Sequence, residues 1–146
     1  MWTLLRLLER SVAFTALTVC AVAAHADCYD DAADFHHVNS LILRAISQVE
    51  SGNLSPTITR KNTNGSIDYG KMQINSIHLP ELAHYRMGTD DLLDACKSIY
   101  TGAWILHQKI EKYGNTWDAV GAYNSETPYY RKIYAAKVWS VLPRRW

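Results

Sequence analysis

Residues 36–56, HHVNSLILRAISQVESGNLSP, decide how the rest of the chain is read. The apolar positions Val38, Leu41, Ile42, Ala45, Ile46 and Val49 fall at offsets 0, 3, 4, 7, 8 and 11, the spacing of a one-sided helix. Ser51-Gly52-Asn53 suits left-handed backbone and stops that helix, and Pro56 confirms the break. The last residue before the stop is a carboxylate. Glu50 follows Val49 and stands about 100° round the helix from it, at the edge of the buried stripe.

Downstream of Glu50, residues 52–69 hold Pro56, Asn62, Asn64 and Gly65 with short β-branched patches, which reads as a loop or small hairpin around Asn64-Gly65. Residues 70–85, GKMQINSIHLPELAHY, are expected to form one or two short helices divided near Pro80. In residues 91–113, Leu92, Cys96, Ile99, Ala103, Leu106 and Ile110 recur at three and four, with Asp90, Asp91 and Asp94 at the N-terminal end. Gly114 ends this long helix. TWDAVGAYN (116–124) is a shorter helix, and Thr127-Pro128 opens the last one. The expectation is one mostly α domain, with helices around a small irregular or β lobe that begins directly after Glu50.

The N-terminus reads differently. Residues 1–26 carry Arg6 and Arg10, then an uncharged apolar run from Val12 to Ala24, and close on Ala24-His25-Ala26, a small-x-small cleavage site. The run is short for a bilayer span, so a cleaved signal peptide is preferred to an anchor, leaving residues 27–146 as one domain with no stable membrane span. Loss of Arg6, Arg10 and Glu9 takes 15 basic and 14 acidic residues to 13 of each. A balanced domain argues against a nucleic-acid partner. From Thr127 onward, however, there are five basic residues and no acidic one: a solvated helix face, or a docking surface for an acidic partner. Cys20 leaves with the signal, and Cys28 and Cys96 are expected to pair in the oxidising compartment.

Three segments carry chemistry: VESGN (49–53), DYGKMQIN (68–75) and GAYNS (121–125). In this order and spacing they resemble the lytic transglycosylases of the soluble-transglycosylase, goose-lysozyme-like family, whose pattern is Glu-Ser at a helix end, then Gly-Leu-Met-Gln-Ile, then Ala-Tyr-Asn-Ala-Gly. DACKSIYTGAWILHQKIEKYGNTWDAVGAYN (94–124) is similar to the helix segment of the small single-domain members that accompany secretion, conjugation and pilus systems. The likeness covers residues 28–142. It implies a lysozyme-like fold with a glycan cleft, export to the periplasm, and peptidoglycan strands as substrate, with components of an envelope-spanning machine as partners.

The resemblance also implies roles. Glu50 would be the single catalytic acid and base, protonating the oxygen between N-acetylmuramic acid and N-acetylglucosamine. It would then deprotonate the muramoyl C6 hydroxyl, which closes a 1,6-anhydro ring. A partly desolvated carboxyl at the edge of an apolar stripe suits this, because desolvation raises its pKa. Ser51, Met72, Gln73, Tyr123 and Asn124 would line the cleft. Against these stand plainer readings: a helix stop for Ser51, core packing for Met72 and Tyr123, a cap for Asn124.

Departures from the pattern matter. Lys71 replaces leucine, and Ser125-Glu126 replaces Ala-Gly. Asp68 and Glu126 are therefore candidate second carboxylates for a lysozyme-type hydrolase. A non-catalytic glycan-binding or assembly module is the rival from another class. No cofactor or metal is expected, the histidines lacking H-E-x-x-H or comparable spacing. Tyr69, Tyr129 and Tyr130 are candidate sugar-stacking residues, whereas Trp104 and Trp117 are read as core.

Overall fold

The structure is a computed structural model that describes residues 27–52 and 54–143. The expected signal peptide at residues 1–26, with Cys20, lies outside the described residues. Among the described residues no helix is long and apolar enough to cross a membrane.

The chain is mostly helical. Helix α1 (Cys28–His36) starts at Asp27, whose carboxylate accepts from the Tyr29 and Asp30 amides, and ends with His37 in the left-handed region. Helix α2 (Ser40–Glu50) starts at Asn39, whose side chain accepts from the Leu41 and Ile42 amides at 2.9 and 3.2 Å. These caps satisfy amides that have no partner inside the helix. Helix α2 packs against α1, α5 (Ala95–Tyr113) and α7 (Pro128–Val141). It therefore buries more than the predicted stripe. Leu43 and Ser47 are enclosed, whereas Leu41 is exposed and Val38 precedes the helix.

After α2 the chain forms a three-stranded antiparallel sheet in the order β1 (Thr59–Lys61), β2 (Ile67–Tyr69), β3 (Ile74–Asn75). The expected hairpin closes at Gly65, whose φ is 88° and whose amide donates to the Asn62 carbonyl at 3.0 Å. The helix expected from residue 70 does not form there. Gly70 and Gln73 both take positive φ, 73° and 48°, which breaks any helix and turns the chain into β3. A Cβ on Gly70 would fall on the Leu92 carbonyl, so only glycine fits this turn.

A 3-10 turn (Ser76–His78) leads into α3 (Leu79–Ala83), and α4 (Thr89–Leu92) precedes α5. The single helix expected over 91–113 is thus two. Asp94 interrupts it by accepting from the Lys97 amide at 2.8 Å and starting α5 afresh. Helices α6 (Trp117–Ala122) and α7 pack together and close the domain. The core is Leu43, Ile46, Met72, Ile74, Leu92, Leu106 and Val138, drawn from helices and sheet alike. Cys28 and Cys96 form the expected disulfide with Cα atoms 5.4 Å apart, tying the start of α1 to the first turn of α5. Closing so long a loop stabilises the fold by about 4 kcal/mol in the chain-entropy model.

Candidate active site

Helix α2 delivers Glu50 to the boundary between the helices and the sheet, and its C-terminal end is tied down from below. The Arg60 guanidinium donates to the Glu50 carbonyl at 2.9 Å, and Lys71 Nζ donates to the Gly52 carbonyl at 2.5 Å. Ser51 Oγ donates to the Lys71 carbonyl at 2.7 Å. Two cations thus meet the carbonyls at the negative end of the helix, and the Ser51 hydroxyl ties that end to the Lys71 backbone. Lys71, the departure from leucine, earns a polar contact in place of an aliphatic one.

The Glu50 side chain lines a cavity of about 360 Å³ with Asp68, Gln73, Asn75, Tyr123 and Asn124. Its Oε1 accepts from the Tyr134 hydroxyl at 2.5 Å. Burial pushes the carboxyl up from its ordinary 4.5 to about 7, and the negative charge of Asp68 adds to the rise. The Tyr134 hydrogen bond, Arg60 and Lys137 pull the other way without cancelling it. Glu50 is therefore an acid that is still largely protonated just below neutral pH.

The sheet wall is polar and internally paired. Asp68 accepts from Asn75 Nδ2 at 2.6 Å and from Asn62 Nδ2 at 3.0 Å, so amide donors occupy both carboxylate oxygens. Gln73 reaches the same wall and donates to the Gly70 carbonyl at 2.8 Å. Its Oε1 is buried and has no partner among the described residues. Tyr123 donates to the Met72 carbonyl at 3.0 Å and stacks on Tyr134, ring centroids 6.4 Å apart. Burial holds both phenols well above the usual tyrosine range, keeping them neutral donors. His78, which also lines the cavity, is held below the ordinary histidine value by burial and by Lys109.

Of the residues singled out from sequence, Glu50, Gln73, Tyr123 and Asn124 meet at this cavity, together with the candidate carboxylate Asp68. Met72 and Ser51 do not line it. Met72 is wholly enclosed against Gly102, where any Cβ would collide with it, and Ser51 is buried beneath the helix end. Both support the site from behind. Glu126 also stands away from the cavity, on the surface. Lys109 and Lys112 hold it at 2.7 and 2.6 Å, pulling its pKa down to about 2. Tyr69, Tyr129 and Tyr130 are not among the lining residues. Trp117, expected in the core, is exposed.

Sequence reading missed Tyr134, which contacts the carboxyl across 84 positions of chain. Its only signal is position i of an i, i+4 pair with Val138, the buried stripe of α7. Arg60, Asn62 and Asn75 were missed as well, since nothing local marks a surface-type residue as a clamp. No group of three or more metal-type ligands occurs among the described residues.

The chain matches the family described as "Transglycosylase SLT domain" over residues 27–133. It is 41% identical over 121 residues to the "Invasion protein IagB" of Salmonella typhimurium (strain SL1344), covering 80% of this chain and 75% of that protein. It is 36% identical over 117 residues to "Protein IpgF" of Shigella flexneri, covering 78% and 76%. To a "Peptidoglycan-binding-like protein" of Escherichia coli O157:H7 it is 33% identical over 132 residues, covering 83% and 79%.

Proposed function

Because the chain belongs to the SLT transglycosylase family, a family of lytic transglycosylases, we propose that Glu50 is the acid and base with which it cleaves peptidoglycan strands. The bond is the β-1,4 link from N-acetylmuramic acid to N-acetylglucosamine, and the product ends in 1,6-anhydro-N-acetylmuramic acid. The observation that carries this reading is the Glu50 carboxyl, buried in a polar cavity, held by Tyr134 and raised to about 7.

The steps follow from the groups present. Protonated Glu50 gives its proton to the glycosidic oxygen as the bond to the muramoyl C1 breaks. The carboxylate left behind keeps the Tyr134 hydrogen bond, which favours the charged form. It then takes the proton of the C6 hydroxyl as that oxygen bonds to C1, restoring the acid without water. Asn124 stands at the exposed edge of the cavity to bind a sugar amide or hydroxyl, and Gln73 lines the wall behind it. Ser51 and Met72 hold the floor beneath them.

A second reading has its own observation. Asp68 lines the same cavity and its charge acts on Glu50, and a water steered by it would produce hydrolysis instead. Mass spectrometry of digested sacculi separates the two. Anhydro ends, lost in Glu50→Gln, are expected; reducing N-acetylmuramic acid ends would establish the hydrolase. If neither parent nor variant cut glycan while both bound it, the chain would be a binding module.

On this reading the working protein acts outside the cytoplasm, in the periplasm after removal of residues 1–26. Local opening of the wall for a secretion, conjugation or pilus machine is the use we infer. The likeness to an "invasion protein" supports it.

A further inference from the structure

A helix that ends on its working residue leaves that residue's own carbonyl without a partner inside the helix. In α2 the Ser47 carbonyl is served locally, accepting from the Ser51 and Gly52 amides at 3.0 and 3.2 Å. The Glu50 carbonyl is served from outside. Arg60, ten positions further on in β1, donates to it from a guanidinium N–H at 2.9 Å. The strand register explains the reach. Arg60 stands directly opposite Asp68 in the β1–β2 pair, and directly paired residues project from one face of a sheet. Asp68 lines the Glu50 cavity, so the face that builds the cavity's polar wall also carries Arg60.

No ion pair absorbs the charge on Arg60. Its side chain is exposed, and no carboxylate lies within ion-pair distance of it among the described residues. The guanidinium meets instead the neutral oxygen of the residue that bears the carboxyl. Its charge acts on that carboxyl, against the rise that burial and Asp68 of β2 impose. Tyr134 and Lys137 of α7, and Tyr123 at the end of α6, are the other titratable groups coupled to it. Among these groups, Arg60 alone also bonds the Glu50 main chain.

We propose that Arg60 is a positioning residue for Glu50, holding the last turn of α2 to the sheet by the Glu50 carbonyl and setting a positive charge beside the carboxyl. This role rests on Glu50 being the acid that cleaves glycan, and Arg60 acts through it. The hold matters because a small displacement of an acid from its target oxygen costs much of the rate. The charge matters after the proton has left, when it favours the carboxylate that must next take the C6 proton.

The test compares the exported chain with Arg60→Met, which keeps the apolar stem but loses donor and charge, and with Arg60→Lys, which keeps both. Soluble glycan strands give kcat and KM across pH. Carbon-13 NMR follows the Glu50 carboxyl, with Glu50→Gln identifying its resonance. Arg60→Met should lower kcat about tenfold with KM within twofold of the parent. It should also move the Glu50 titration, and the falling limb of the rate profile, to higher pH, because a charge that favoured the carboxylate is gone. Arg60→Lys should recover most of both effects, which a purely steric role would not allow. Arg60→Gln, equally uncharged, takes the place of Arg60→Met should that variant fold poorly. A kcat within twofold of the parent, a titration that stays or falls, or a loss confined to KM would each overturn the role. The titration needs no turnover, so the two readings fail separately. If Glu50→Gln cut glycan like the parent, Glu50 would not be the acid and the role would fall with it. If Glu50→Gln were inactive and Arg60→Met like the parent, Arg60 alone would be misassigned.

Discussion

On its inner face α7 gives Tyr134 to the body of the protein, where the hydroxyl donates to Glu50 at 2.5 Å. On its outer face the same helix offers Tyr129, Ile133 and Trp139 to solvent. The inner face shows a buried polar group supplied with its partner by the chain itself, as burial demands. The outer face shows apolar area left in water, which the described residues do not cover. One face is complete and the other is not. Substitutions on each should therefore differ in kind: inner ones alter protonation and stability, whereas outer ones leave protonation alone and change stability little.

The largest effect is expected at the group the inner face serves. Glu50→Gln should lower the cleavage rate by about 10²- to 10⁴-fold, measured as anhydro ends released from sacculi. It should also change how stability depends on pH. The folded protein holds this proton to about pH 7, against 4.5 as the ordinary value. The carboxyl's favourable contribution is thus complete below about pH 4.5 and is lost as pH rises through about 7. The glutamine does not titrate, so its stability relative to the parent should climb across that window by up to about 3 kcal/mol. Urea unfolding at pH 4 and pH 8 measures the difference. A flat difference would mean that Glu50 is well hydrated, and the contrast between the faces would weaken.

Next comes the floor beneath the cavity. Gly70→Ala forces a side chain into a positive φ of 73° and onto the Leu92 carbonyl. It should cost about 3 kcal/mol in chemical denaturation. Tyr134→Phe follows, and it bears most directly on the comparison. Without the hydroxyl the carboxylate loses a donor, so the Glu50 pKa should move above about 7 and the falling limb of the rate profile with it. The rate at the optimum should drop about tenfold, the worth of one hydrogen bond to a charged group. A lower rate with an unmoved limb would make Tyr134 a packing residue only.

How much of this was legible depends on range. The periodicity of α2 and its Ser-Gly stop placed Glu50, and the Asn64-Gly65 turn placed the hairpin, because those signals lie within a few residues. The break at Asp94 and the strand at Ile74 were hidden, since each rests on one side chain or backbone angle that overrides a good helical pattern. Met72 shows the limit of a motif, which marks a residue as belonging to a site but not whether it faces the cavity or backs it. Tyr134 shows the limit of spacing, because its partner lies 84 positions away. Trp117 was misread for a general reason: hydrophobicity states a preference for burial, and only the packing shows whether this chain meets it.

The smallest effect is expected at Trp139, and its smallness is informative. The indole is 63% exposed, and its edge-to-face pairing with Trp117 is worth about 1 kcal/mol at most. Trp139→Ala should therefore lower unfolding stability by about 1 kcal/mol or less, with the rate profile unmoved. A residue of this size so placed adds little to the fold and nothing to Glu50. If the variant instead lost several kcal/mol, Trp139 would be a structural member of the α6–α7 contact. The two faces would then be equally complete, and the contrast between them would disappear.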